Sequence, residues 1–406
     1  MTEVIEKTEY KKGYKKTKLG WVPEDWKMVR FNELFDEVVN LSNDTETYPL
    51  YSLTLENGVT PKTERYERSH LLKDKNENEF KLISEGEIAI NPMNLRFGAF
   101  FMSKVPETVS LSAYYDIVKA KKDTVNVIFY DAFMKSASAR RLYQRIATGS
   151  LDEKKRIHLS ELKKQLVPYP KKEEQDKIAE ILSTWDDGIE TLEKLIEQKE
   201  ILKNSLAQKC FRRKNILFSL KQHKLGELFK NRKETNCCDL ELLSVCNGLG
   251  IVPRSQLNAK DNSNDNKSKY LKVCIGDLAY NTMRMWQGRC GVSSYEGIVS
   301  PAYTVCIPKN NIDVDYMYYL FKTPHMIHDF WRYSQGIVDD TLNLKFNNFE
   351  VIKVWIPDKE TQTKIAKLLK SYDEEIQLLN SKLEKLEEQK KGLMQKLLTG
   401  QIRVKV

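Results

Sequence analysis

The sequence has only five histidines and seven cysteines, and neither residue type falls into a metal-ligand pattern. Cys210, Cys237, Cys238, Cys246, Cys274, Cys290 and Cys306 all lie in the second half, with no Cys-x-x-Cys pair and no histidine ladder, so no metal site is expected. An odd number of scattered thiols suits a reducing compartment better than a disulfide framework. No stretch approaches the roughly 20 apolar residues of a membrane-spanning helix, and the opening MTEVIEKTEYKKGYKK lacks a signal-peptide core. The expectation is a soluble, cytoplasmic chain with no membrane partner.

Catalytic signatures are missing as well. Without a GxxxxGK[ST] loop, ATP hydrolysis is not expected, and no glycine-rich loop for a methyl donor follows a strand. Asn91-Pro92-Met93 is similar to the Asn/Asp-Pro-Pro-aromatic motif of amino-methyltransferases but lacks the second proline and the aromatic, and its counterpart Asn281-Thr282-Met283 has no proline. The acidic pairs Asp152-Glu153 and Asp339-Asp340 read as turns, Pro357-Asp358-Lys359-Glu360 as a helix cap, and His325 with His328 as a helix face. No catalytic residue and no metal ligand is assigned.

What the chain does have is a duplication. PKKEEQDKIAEILSTWDDGI (170–189) returns at 357–376 as PDKETQTKIAKLLKSYDEEI, and the offset of 187 holds without a gap to Lys209 and Lys396. It extends upstream through Gly149/Gly336, Ile157/Leu344 and Leu162/Phe349. With small indels, GEIAINPMN (86–94) matches GDLAYNTMR (276–284) and FNELF (31–35) matches LGELF (225–229). At 406 residues there is room for two or three domains. The plan is therefore two diverged globular domains, each followed by the same helix.

In the second copy Ile365, Leu369, Tyr372, Ile376, Leu379, Leu383, Leu386, Leu393 and Leu397 step by fours and threes, broken only at Lys390. That is a coiled-coil seam. In the first copy the seam runs through Ile178, Leu182, Trp185, Ile189, Leu192 and Ile196, after which the apolar positions drift to Leu195, Leu202 and Leu206. A stripe this narrow asks for one partner helix, and the two copies are expected to pair antiparallel. Proline opens both helices, Asp358 is an N-cap candidate, and Gly400 suits a C-cap. The formal charge is +9 overall; residues 171–209 carry −3 and 358–396 carry +1, so +11 remains on the rest. A basic surplus outside the helices suits ends that touch a polyanion.

Candidate base and phosphate contacts follow from residue type, since Arg pairs bidentately with guanine, Asn or Gln with adenine, and Lys reaches phosphates. In the first domain these are Lys62, Arg65 and Arg68 with Asn91, Asn94 and Arg96; in the second, Arg254 and Gln256 with Arg284, Gln287 and Arg289. An ordinary polar surface remains an alternative for any single one of them.

Three sets of strings carry a family resemblance: GWVPEDW (20–26), the pattern Pro170/Gln175/Ile178/Ala179 with Pro357/Gln362/Ile365/Ala366, and QKLLTGQIRV (395–404). On these the chain resembles, over essentially its full length, the DNA-specificity subunit of type I restriction-modification enzymes. The resemblance implies an α+β chain with two target-recognition domains in pseudo-twofold arrangement, separated by a long antiparallel two-helix coiled coil. The expected bounds are 1–169 and 212–356 for the domains, 170–211 and 357–400 for the spacer helices, and 401–406 for a tail. It implies that each domain reads half of a bipartite, asymmetric target in double-stranded DNA. It also implies partners, two modification subunits that use S-adenosylmethionine to methylate adenine N6 and restriction subunits that use ATP and Mg, while this chain binds no cofactor. Lys177, Glu180, Lys364 and Lys367, off the seam, are docking candidates for those partners. With about 50–60 Å between readers and about 3.4 Å per base pair, half-sites would centre roughly 15–18 base pairs apart. The competing expectation is a scaffold of two protein-binding domains held by paired helices.

Overall fold

The computed structural model describes residues 12–62, 79–150, 155–212, 218–246, 250–257, 263, 266–337 and 341–405. The chain divides into two compact units, one of Met1–Thr191 with Leu383–Val406 and one of Leu192–Lys382.

In the first unit a four-stranded antiparallel sheet runs in the order Phe100–Met102, Ile88–Ile90, Asp116–Ala120, Phe35–Glu37. Ile88, Ala89 and Ile90 are all buried, as a strand covered on both faces requires. On one side lies a core of Trp26, Phe31, Phe35, Phe100, Phe129 and Tyr130, backed by helices Val127–Lys135 and Ala137–Ile146. On the other, Val38, Leu53, Ile83, Val109 and Leu111 pack beneath a three-stranded sheet and the hairpin Tyr51–Thr54/Gly58–Pro61. Lys27–Arg30 pairs with Leu166–Tyr169, the strand that leads into the first long helix.

The second unit repeats this plan on different side chains. Its sheet order is Cys290–Val292, Leu278–Asn281, Tyr303–Pro308, Phe229–Arg232, again antiparallel. Helices Val314–Phe321 and Pro324–Tyr333 cover one face, the hairpin Leu243–Cys246/Gly250–Pro253 the other, and Lys221–Lys224 pairs with Lys353–Ile356 ahead of the second long helix.

The long helices span Lys172–Cys210 and Lys359–Leu398. Within the first unit the start of one, at Ile178 and Leu182, shares a core with the end of the other, at Leu393, Leu397 and Leu398. Within the second unit Ile365, Ala366 and Leu369 meet Leu206, Ala207 and Cys210. In each unit a helix start lies beside a helix end, so the pairing is antiparallel. The expected drift of the first seam does not occur, for Leu195 and Leu202 are 38% and 52% exposed. The heptad instead continues in step through Lys199 and Lys203, which are half-buried and reach across to Glu375 at 2.7 Å and Asp373 at 2.5 Å. Lys390, the break in the second seam, is paired with Asp186. Lys203 and Lys390 are related by the same 187-residue offset, as are Asp186 and Asp373, so each unit holds one copy of a single Lys–Asp cross-helix bond.

The signature glutamines explain how each helix is fixed to its domain. Gln175 is fully buried; its Oε1 accepts the Asn126 backbone N–H at 2.9 Å and its Nε2 donates to the Pro170 carbonyl at 2.9 Å. Gln362 does the same with the Asp313 N–H at 2.9 Å and the Pro357 carbonyl at 2.8 Å. Asn126 and Asp313 are in turn the N-caps of the first domain helices, accepting from Phe129 and Tyr316. Their remaining side-chain atoms bond the long helix again, at Asp176 and at Thr363, 187 residues apart. Asp358 caps the second long helix, accepting from the Thr361 N–H at 3.0 Å.

One fastening has no counterpart among the described residues. In the first unit the buried Glu174 carboxylate accepts from the Trp26 indole at 2.9 Å and from Arg403, whose guanidinium also grips Asp25. That bond holds the Asp25 carboxyl below its ordinary range. Gly400, left-handed at φ +66°, lets the backbone press on Pro23 and Trp26; a Cβ there would stand 2.3 Å from the proline ring. The strings GWVPEDW and QKLLTGQIRV are thus two sides of one joint.

Candidate nucleic-acid interface

In both units the loop after the second strand of the main sheet is built by one asparagine. Asn91 is 8% exposed; its N–H donates to the Ala99 carbonyl, and its side-chain oxygen accepts from the N–H groups of Met93 at 3.1 Å and Asn94 at 3.3 Å. A single 3-10 turn, Leu95–Phe97, then closes on Gly98 at φ +99°. Asn281 repeats this with Met283 at 3.0 Å, the turn Met285–Gln287 and Gly288 at φ +72°. The next carbonyl, Pro92 or Thr282, accepts from Ile157 or Leu344, pinning the loop to the segment after the second domain helix. Such a turn presents short side chains at fixed positions with little backbone freedom left to lose.

The sequence-selected residues separate on this frame. Asn94 and Arg284 hold matching half-buried positions at the start of the 3-10 turns; Arg96 lies over the Phe97 ring at 4.5 Å; Gln287 and Arg289 are exposed. Asn91 stands apart, because its side-chain oxygen is committed to the turn. Lys62 and Arg254 are brought into correspondence elsewhere, each just past the proline that ends its hairpin, with N–H groups bonded to Leu50 and Leu242. Gln256 is exposed in the turn that follows. Arg65 and Arg68 lie outside the described residues, as do the acidic pairs at 152–153 and 339–340.

Sequence reasoning missed the helix beside each loop. Ala137–Ile146 buries Ser138, Ala139, Leu142 and Tyr143 and leaves Arg140, Arg141, Gln144 and Arg145 outward. The Arg140 guanidinium lies against Gly98 of the loop, and Arg145 bonds the Lys18 carbonyl at 2.7 Å, so the helix presents a row of exposed arginines beside the loop. The matching helix Pro324–Tyr333 turns out His328, Trp331 and Arg332 instead. The signal was present in the 3.6-residue spacing of Arg140, Arg141 and Arg145 opposite an apolar stripe, but a charged stripe alone does not say what it faces. Behind the loops sit the matched lysines: Lys135, pulled to lower pKa by burial, stacks over Phe101 and pairs with Asp131 at 2.6 Å, while Lys322 donates to the Gly288 carbonyl. They brace the loops while staying partly exposed.

Among the described residues no group of acidic, cysteine and histidine side chains forms a metal cage, and no helix is long and apolar enough to cross a membrane. The arrangement offers fixed cationic, amide and apolar groups on two diverged copies of one frame, which is the chemistry of groove and phosphate contact.

The family described as type I restriction modification DNA specificity domain matches the chain twice, over residues 23–201 and 223–388. The type I restriction enzyme MjaVIII specificity subunit of Methanocaldococcus jannaschii is 25% identical over 95% of this chain and 94% of its own. The fold is similar to that of the type I restriction-modification S subunit from M. genitalium, with TM-score 0.58 and 17% identity over 92% of this chain and 96% of that one. It is also similar to a chain of a type I R-M system solved for its assembly and conformational transition, with TM-score 0.55 and 14% identity over 94% and 99% of the two chains. Two matched domains on two matched frames give the conclusion plainly: the chain belongs to the DNA-specificity subunits of type I restriction-modification systems.

Proposed function

We propose that each unit reads one half of a bipartite, asymmetric duplex target and that the paired helices set the unread gap between the halves. The observation that carries this is the contrast between buried and outward positions. The glutamine clamps, N-caps and loop asparagines are duplicated, while the outward side chains on the same loops and helices have diverged, as with Arg96 against Trp286 and Arg141 against His328. A scaffold of two protein-binding domains gives no reason for a basic face beside the loops.

The chain supplies recognition and no catalytic group. Methyl transfer from S-adenosylmethionine belongs to two modification subunits, and ATP- and Mg-dependent cleavage to restriction subunits. Their docking surface is the outward side of the long helices, where Lys177 pairs along its own helix with Glu180, Lys364 does so with Glu360, and Lys367 is exposed.

Mapping methylated adenines in a host that carries this chain with its modification subunits tests the reading. The expected outcome is one bipartite motif with a fixed gap; a contiguous motif, or no new methylation, would count against it. Adding seven residues to both helices adds about 10.5 Å of rise and lengthens the gap by about three base pairs with the read bases unchanged.

A further inference from the structure

Two side chains on the loops are held alike in both units although their neighbours have diverged. Met93 and Met283 each follow the loop asparagine by two residues, and each donates its N–H to that asparagine's side-chain oxygen. They are 41% and 42% exposed. The loop beneath them is pinned at Pro92 and Thr282 from the neighbouring segment. A lone exposed apolar side chain is ordinary surface; what marks these two is that one asparagine turn holds a methionine outward in each unit, on loops that also carry arginines. Arg96 lies three residues on in the first loop, with Arg140 against its closing Gly98; Arg284 and Arg289 belong to the second loop, where the Arg289 N–H donates to the Arg284 carbonyl.

We infer that Met93 and Met283 are apolar base contacts, made in the same way at each half-site. The occupant follows from chemistry. The cations on and beside the loops draw them against phosphates, and a thioether on that surface has no partner on the phosphates themselves. It meets the apolar features of the base-pair stack, a thymine methyl or a base edge in the groove. That two units with different outward side chains keep this one assigns it to positioning common to both half-sites, while discrimination falls to the diverged neighbours. The flexible thioether fits that use, since it adapts to unlike surroundings. The inference rests on the DNA-reading function proposed above.

The test uses the full chain assembled with its modification subunits and duplex carrying the mapped target. Met93→Gln and Met283→Gln keep side-chain length on an exposed site and replace the apolar group with an amide. Each is expected to weaken specific binding about tenfold, the scale of losing one apolar side chain's burial, with the slope of log Kd against log salt unchanged. Arg96→Ala, the control, lowers that slope by about 1. Unchanged specific affinity in the methionine variants, or a lowered slope like that of the arginine variant, overturns the inference. If the unsubstituted assembly binds target and random duplex equally, the underlying function fails too, and that result is distinct from the first.

Discussion

The two units share a skeleton and differ in how the neighbouring long helix is fastened to them. In the second unit the first long helix runs through Cys210 and Phe211 into the core, and strand Lys221–Lys224 follows along the same chain. In the first unit the second long helix has no chain connection to the segment it meets at residues 14–26, and side chains do the joining: Arg403 to Glu174 and Asp25, Trp26 to Glu174, and Tyr14 Oη to the Gly400 carbonyl at 2.8 Å. At the position matching Glu174 the second unit has Thr361, which serves its own helix cap. A noncovalent joint needs buried, directional bonds where a continuous chain does not.

The largest effect is expected at the shared clamp. Gln175→Leu leaves the Asn126 N–H and the Pro170 and Thr124 carbonyls without their partner and should cost about 3 kcal/mol; Gln362→Leu orphans one group fewer and should cost about 2. Urea unfolding midpoints check both, and leucine accepted at either site without loss of stability would contradict the shared clamp. Arg403→Met strikes only the first unit, stranding the buried Glu174, at about 2 kcal/mol.

That second effect carries a pH signature. Asp25 has its folded pKa lowered, chiefly by the Arg403 hydrogen bond, so its share of stability is fully present above the ordinary carboxylate value near 4 and is lost as pH falls through the lowered folded value. The difference between Arg403→Met and the unsubstituted chain should therefore shrink in unfolding curves taken below about pH 4. On the outward faces the units should differ in kind: Arg141→Ala should lower the salt slope of DNA binding by about 1, and His328→Ala, at the matching place, should lower it less. The smallest effects belong to the cross-helix bonds. Lys203→Ala and Lys390→Ala should each cost less than about 1 kcal/mol by the same unfolding measurement, because both pairs are partly open to water.

The repeat, the seam and the helix caps were legible because each rests on local spacing: fours and threes from Ile178 and Ile365, an aspartate before Thr361, a glycine after Leu398. The seam past Ile196 is not legible in the sequence, since lysines in a seam look like its end, and the partner helix shows that Lys199 and Lys203 have carboxylates to meet. Asn91 looked like a base reader for the same reason. An amide in a polar loop is indistinguishable by type from one that closes its own turn, and three-dimensional contacts decide between them. The arginine face at 140, 141 and 145 went unseen because nothing in a helix's own pattern marks its polar stripe as a surface beside a loop 40 residues upstream.

The most direct measurement of the central claim is methylation mapping of a chain in which residues 221–356 are exchanged for the matching stretch of a different specificity subunit. Gln362 and both long helices stay in place, and the incoming domain supplies the residue that replaces Asp313. If the units read independently on a common skeleton, one half of the bipartite motif changes while the other half and the gap stay as they were. A change in both halves, or in neither, would contradict the account.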